Sequence, residues 1–163
     1  MAELTLNTIT YNQIVKKFED IITANKFIKT FVAGDIYEID LTETTYMYAH
    51  LSIESATFDN AQLTYSFRLY VMDIVNKDEG NENDVLSDTL QVINDVISEF
   101  RNGSSTFGLE TMQDYEIQDT ISCAPFTERF DNELTGWVFS LGILVQNDFD
   151  ACIIPASSGG AGE

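Results

Sequence analysis

The chain has 163 residues and carries 8 Lys+Arg against 27 Asp+Glu, a formal net charge of −19. That length suits one domain, and 44% apolar residues, with 11 Phe and 7 Tyr, exclude a disordered acidic tail. The charge excludes ordinary groove or phosphate binding, because few cations are present to release counterions from a duplex.

The first element is a helix over Tyr11–Ala24. Thr10 is a candidate N-cap, and Gln13 three residues later completes a capping box. Ile9 and Ile14 stand where a hydrophobic staple would. Ile14, Val15, Phe18, Ile21 and Ile22 form the apolar face, with Lys16, Lys17, Glu19 and Asp20 off it. Phe27 to Asp40 reads as extended, bent at Gly34-Asp35.

Tyr46 to Phe58 is a second extended run, and Asp59-Asn60 is its turn signal. Leu63, Tyr65, Phe67, Leu69 and Val71 then alternate with Thr64, Ser66, Arg68 and Tyr70. This period of two predicts a strand over Gln62–Val71 and a long hairpin around the turn. A solvated loop is expected from Asn76 to Asp84.

A second helix is predicted over Asp84–Arg101, capped by Asn83 or Asp84 and stopped at Asn102-Gly103. Leu86, Leu90, Ile93, Ile97 and Phe100 define its stripe, widened by Val85, Val92 and Val96. Leu86, Leu90, Ile93 and Ile97 are expected to be buried against the sheet. Tyr115 to Ala124 reads as a strand, Pro125 to Thr135 as a polar loop, and Gly136–Val145 as a strong strand. Residues 156–163 are a Gly/Ser tail, flexible by composition, after a single domain over 1–155. The expected fold is α+β, with two helices packed on one face of a mainly antiparallel sheet.

Chemistry is sparse. The only His, His50, sits in a strand pattern with no second His and no neighbouring nucleophile, so a structural or surface role is expected. Cys123 and Cys152 make no disulfide framework and no zinc spacing, and read as buried free thiols. The sequence contains no Gly-rich phosphate loop, dinucleotide fingerprint or Gly-x-Ser-x-Gly elbow. No cofactor is expected. The loop holding Asp78, Glu79, Glu82 and Asp84 is dense in oxygen ligands. Its Gly80 does not fall where a calcium-binding loop needs it, so exposed acidic surface is the reading. Carboxylate neighbours such as Glu128 and Asp131 are expected by chance in so acidic a chain. No signal peptide or membrane span is expected.

One segment stands apart: Pro125-Phe126-Thr127-Glu128-Arg129-Phe130-Asp131, leading to Gly136-Trp137. It places two Phe and one of three Arg before the only Trp. Two readings stay open on the residues. In one, the Phe side chains fold back on the core and Arg129 pairs locally with Glu128 or Asp131. In the other, Phe126, Glu128, Arg129, Phe130, Asp131 and Trp137 form an inter-subunit contact.

Asp73, Val85-Leu86-Ser87-Asp88-Thr89-Leu90, this Pro-Phe-Thr-Glu-Arg-Phe-Asp string with Gly136-Trp137, and Cys152-Ile153-Ile154-Pro155 together resemble a family of small virion structural proteins. The family occurs in tailed bacteriophages of the Bacteroidetes type. The resemblance runs from about Phe31 to Pro155, and the residues after Pro155 depart from it. It implies a non-enzymatic tail-completion, tail-terminator or head–tail connector protein of the neck or proximal tail, with a tail-terminator-like sandwich fold. The implied partners are further copies in a six-fold or twelve-fold ring and neighbouring neck or tail proteins, with assembly in the host cytoplasm. Part of the acidic surplus, with Asp78, Glu79, Glu82 and Asp84 as candidates, would then line a channel through which DNA slides. Two other classes stay open: an adaptor or assembly chaperone outside the virion, and a metal-dependent enzyme using acidic residues.

Overall fold

The fold is seen in a computed structural model that describes residues 9–35, 46–75, 80–102, 115–118, 120–129 and 133–147. Helix α1 (Tyr11–Ala24) is followed by β1 (Thr30–Ala33), β2 (Tyr48–Asp59), β3 (Gln62–Ile74), helix α2 (Glu82–Asn102), β4 (Tyr115–Ile117), β5 (Cys123–Arg129) and β6 (Glu133–Gln146).

Helix α1 begins as its sequence dictates. The Thr10 hydroxyl accepts from the Gln13 N–H at 3.3 Å, and the Gln13 side chain accepts from the Thr10 N–H at 2.8 Å. Ile9 and Ile14 on either side of this cap are both buried. A reciprocal cap of this kind contributes about 0.5–2 kcal/mol.

The strands form one six-stranded sheet in the order β1-β2-β3-β6-β4, with β5 also on β6. All pairs are antiparallel except β1 with β2. The β2–β3 hairpin turns where Asp59-Asn60 predicts, with Asp59 opposite Gln62. Its turn holds Ala61 at φ 52°, in the left-handed region. The β3–β6 pairing is the longest, running from Gln62 opposite Gln146 to Ile74 opposite Leu134. β6 is flanked on its other side by β5 near its start and β4 near its end.

Odd-numbered side chains of β3 and β6, from Leu63 to Val71 and from Phe139 to Val145, share one core cluster with both helices. The helices therefore lie on one face of the sheet. Phe18 of α1 packs between Phe67 and Phe100, with ring centroids 5.2 and 4.6 Å away. The opposite face carries a smaller cluster of Tyr48, Met72 and Leu134.

Several expectations need correction. Leu90 is 41% exposed, and Leu86 and Ile97 are only half-buried. Of the four residues expected to be buried, Ile93 is, and the buried stripe of α2 joins it to Val85, Thr89, Val92, Val96 and Phe100. Thr89 hides that stripe in the sequence. Its hydroxyl donates to the Val85 carbonyl at 2.7 Å, so a polar side chain sits in the core satisfied. The helix also starts at Glu82, within the expected loop, because acids in a first turn are favoured by the helix dipole. The extended run from Phe27 contributes only Thr30–Ala33 as strand before the Gly34 bend, and its end at 36–40 lies outside the described residues.

The expected strand over Tyr115–Ala124 divides into β4 and the start of β5. The expected loop from Pro125 to Thr135 is largely strand, because β5 runs to Arg129 and β6 begins at Glu133. Pro125 is tolerated there because, among the described residues, β5 pairs only with β6 and forms an edge. Lys17 lies inside the core rather than off the apolar face.

Gly136 marks the closest approach in the sheet. A Cβ built there would lie 1.9 Å from the Val71 carbonyl oxygen and 2.9 Å from Met72 Cα. Gly136→Ala should therefore lower stability by more than about 3 kcal/mol or prevent folding in a urea titration. Ala61→Gly should act oppositely, raising stability by about 0.5–1 kcal/mol, because glycine tolerates the left-handed conformation. An unchanged midpoint for Gly136→Ala would contradict the close packing of β3 on β6.

Candidate assembly surfaces and buried polar groups

The β5–β6 hairpin holds the segment singled out in the sequence. Pro125 stands opposite Trp137, Phe126 opposite Gly136, Glu128 opposite Leu134, and Arg129 opposite Glu133. Arg129 thus stands in backbone register with Glu133. Phe130 and Asp131 lie outside the described residues, as do Asp78 and Glu79.

Trp137 packs half-buried against the core, and its indole Nε1 donates to the Leu86 carbonyl at 2.8 Å. This ties β6 to the second turn of α2, so Trp137 has an intramolecular task. Glu82 and Asp84 sit in the first turn of α2, half-buried and exposed respectively. Among the described residues no helix is long and apolar enough to cross a membrane, and no three of His, Cys, Asp and Glu gather to hold a metal ion.

Beside β5 the surface is apolar. Leu90, Ile93, Ile97 and Cys123, with Ser87, Gln91 and Asn94, line an open groove of about 580 Å³ between α2 and the start of β5. Cys123 is half-buried rather than buried, and burial raises its thiol pKa. Cys152 lies outside the described residues.

Across the sheet, a polar cluster spans three strands. The β2–β3 register shifts between Ile53 and Ser55, and Glu54 is the residue set aside. A bulge re-aims its side chain. The Glu54 carboxylate accepts from Ser66 and Ser140 hydroxyls, each at 3.1 Å, and from Arg68 at 2.5 Å. These bonds join β2, β3 and β6 on the face away from the helices.

His50 is fully buried on that same face. Its Nε2 lies 3.0 Å from the Gly34 carbonyl, which can only accept, so Nε2 carries the proton. Nδ1 then accepts from the Tyr48 hydroxyl at 2.8 Å. Burial, with a smaller contribution from Tyr46, pushes the Tyr48 phenol up to about 12. The role of His50 is structural, linking β2 to the bend that ends β1.

Lys17 is the residue the sequence reading missed. It is 0% exposed, and its Nζ donates to the Tyr115 hydroxyl, which donates in turn to the Phe100 carbonyl. The ammonium also lies 4.8 and 4.1 Å from the centroids of the Phe100 and Tyr115 rings. Desolvation lowers its pKa to about 8, opposed by the charge of Glu99. The signal was its spacing: Lys17 stands three residues after Ile14 and four before Ile21, inside the apolar stripe.

A lowered lysine pKa gives stability a definite pH dependence. The unfolded chain keeps this proton up to about 10.5 and the folded chain releases it near 8, so stability rises with pH between those values. The upper limit of the gain is about 3 kcal/mol. Buried phenols, including Tyr48 and Tyr65, are held above their ordinary value of 10, so their contribution is lost as pH climbs beyond it. Thermal melts should therefore show stability rising from about pH 8 to a maximum near 10. Lys17→Met should flatten that rise and stabilise the protein at neutral pH by about 1–3 kcal/mol. A variant less stable than wild type at neutral pH would show that the cation is a net stabiliser.

No protein-family model matches this chain, and neither does any curated protein.

Proposed function

We propose that this protein is a non-enzymatic virion structural protein that forms a homo-oligomeric ring at the head–tail junction or proximal tail of a bacteriophage, around a passage for DNA. The resemblance carried by the Pro125–Asp131 string and Gly136-Trp137 supplies the class, including its tail-terminator-like sandwich. The observation that carries the assembly reading is the groove between α2 and β5. A chain this acidic leaves Leu90 41% exposed in the middle of a helix, with Ile97 and Cys123 beside it. That apolar surface borders the strand that holds the string. Apolar surface rimmed by polar residues is the usual composition of a protein contact.

In a ring the contact is heterologous, so each subunit offers two different patches. The α2–β5 groove is one. The hairpin end near Arg129 and Glu133 belongs to the other, where Arg129 meets a carboxylate of its neighbour. An Arg–carboxylate pair shielded from water by aromatic side chains is directional and costly to break. The net charge of −19 disfavours adhesion to DNA passing through such a ring, within the roughly 8 Å reach that physiological salt allows.

Leu90→Asp and Arg129→Ala should each weaken particle or ring assembly at least about tenfold, while subunit stability changes by no more than about 0.5 kcal/mol. A severe loss of subunit melting temperature in Arg129→Ala, with assembly of the folded fraction intact, would make the hairpin an intramolecular clamp. The purified protein should also show no retention on duplex DNA at low salt, where electrostatic binding is strongest. Salt-sensitive retention there would contradict the passage reading.

A further inference from the structure

We propose that β4 is a releasable strand, held on the edge of β6 by a side-chain latch of Lys17, Tyr115 and the Phe100 carbonyl, with the buried cation biasing the latch toward release. This inference rests on the fold alone and stands or falls separately from the ring reading.

Among the described residues the ladder that holds β4 is short. It consists of Tyr115 opposite Val145, Glu116 opposite Leu144, and Ile117 opposite Ile143. Each backbone hydrogen bond contributes only about 0.5–1.5 kcal/mol net. The larger attachment is the Tyr115 side chain. Its hydroxyl bridges Lys17 of α1 and the Phe100 carbonyl of α2, and its ring stands edge-on to Phe100 at 6.3 Å.

The same ring covers a cation. The Tyr115 centroid lies 4.1 Å from Lys17 Nζ, and Lys17 has no exposure to solvent. Lys17 of α1 and Tyr115 of β4 meet here, and the charge of Glu99 on α2 acts on both. Among the described residues Lys17 has no carboxylate within ion-pair distance. Among the described residues Glu99 Oε2, which is buried, has no hydrogen-bond partner.

The closed state therefore holds an ammonium and a carboxylate oxygen short of solvation. Such groups cost free energy until water or a partner reaches them. Lifting Tyr115 lets water reach the ammonium it covers. Protonated Lys17 thus favours the open state, and loss of its proton favours the closed one. Release also frees the backbone groups of β6 from Ile143 to Val145, which is the kind of sheet edge that accepts an added strand.

Amide hydrogen exchange on the full chain tests this. Amides joining Tyr115–Ile117 to Ile143–Val145 should exchange through an opening smaller than global unfolding, at least about tenfold more often than amides of the β3–β6 ladder. Lys17→Met should lower that opening constant at least about tenfold at neutral pH. Raising the pH from about 7 to about 9 should lower it in the wild type and leave Lys17→Met unchanged. Tyr115→Phe should raise it, and should that variant fail to fold, Lys17→Met and the pH series still decide. Exchange of these amides only by global unfolding, or an opening constant that ignores both Lys17→Met and pH, would overturn the proposal.

Discussion

The antiparallel pairing of β3 with β6 is the interaction on which the rest of the molecule depends. Every other strand attaches to one of these two or to β2, which itself pairs with β3. The pairing brings Gly136 so near Val71 that no side chain fits between them. It also fixes the alternation that turns Phe139, Leu141 and Ile143 toward the helices while Ser140 faces the Glu54 cluster. With β6 held this way, Trp137 reaches the Leu86 carbonyl and locks α2 in place. A one-residue slip would reverse the two faces and bury the polar one.

Both faces of the sheet carry buried polar groups, and they are satisfied to different degrees. His50 has partners on both ring nitrogens, so its burial links elements at little cost. Lys17 is different. A cation held by one phenol and two aromatic faces gains less than water would give it. Its place between α1, α2 and β4 makes the helix layer and the sheet edge interdependent. The region where the two layers join therefore carries a group that is harder to protonate in the folded chain than in the unfolded one.

Periodic segments with clear punctuation were legible in the sequence. The Thr10–Gln13 cap, the Asp59-Asn60 turn and the alternation from Leu63 to Val71 each have one local physical solution. Where two local solutions competed, the sequence was silent. Val85, Thr89, Val92 and Val96 form the buried stripe of α2, yet Leu86 and Leu90 offered an equally regular one beside it. The string from Pro125 reads as a loop because of its proline and its run of polar residues, yet it pairs with β6, the next strand in the chain, at an edge that tolerates Pro125. Lys17 was missed because a charge is normally assigned outward, and the groups that hold it come from residues far along the chain. Of the candidate contact residues, Trp137 proved to have an intramolecular partner, and Arg129 to stand opposite Glu133.

The proposed assembly surface joins these threads. Rotation of the buried stripe in α2 leaves Leu90 outside the core, and the edge position of β5 sets the most distinctive string of the sequence next to it. The apolar groove is thus a consequence of how the core is satisfied, and we propose that a neighbour covers it. On the proposed function the neighbour is another copy of this chain within a virus particle. Quantitative mass spectrometry of density-purified particles tests it most directly. Intact particles should hold about six or twelve copies of the protein each, as a ring with heterologous contacts would give. Its absence from purified particles, with the protein recovered free in the host-cell lysate, would contradict it.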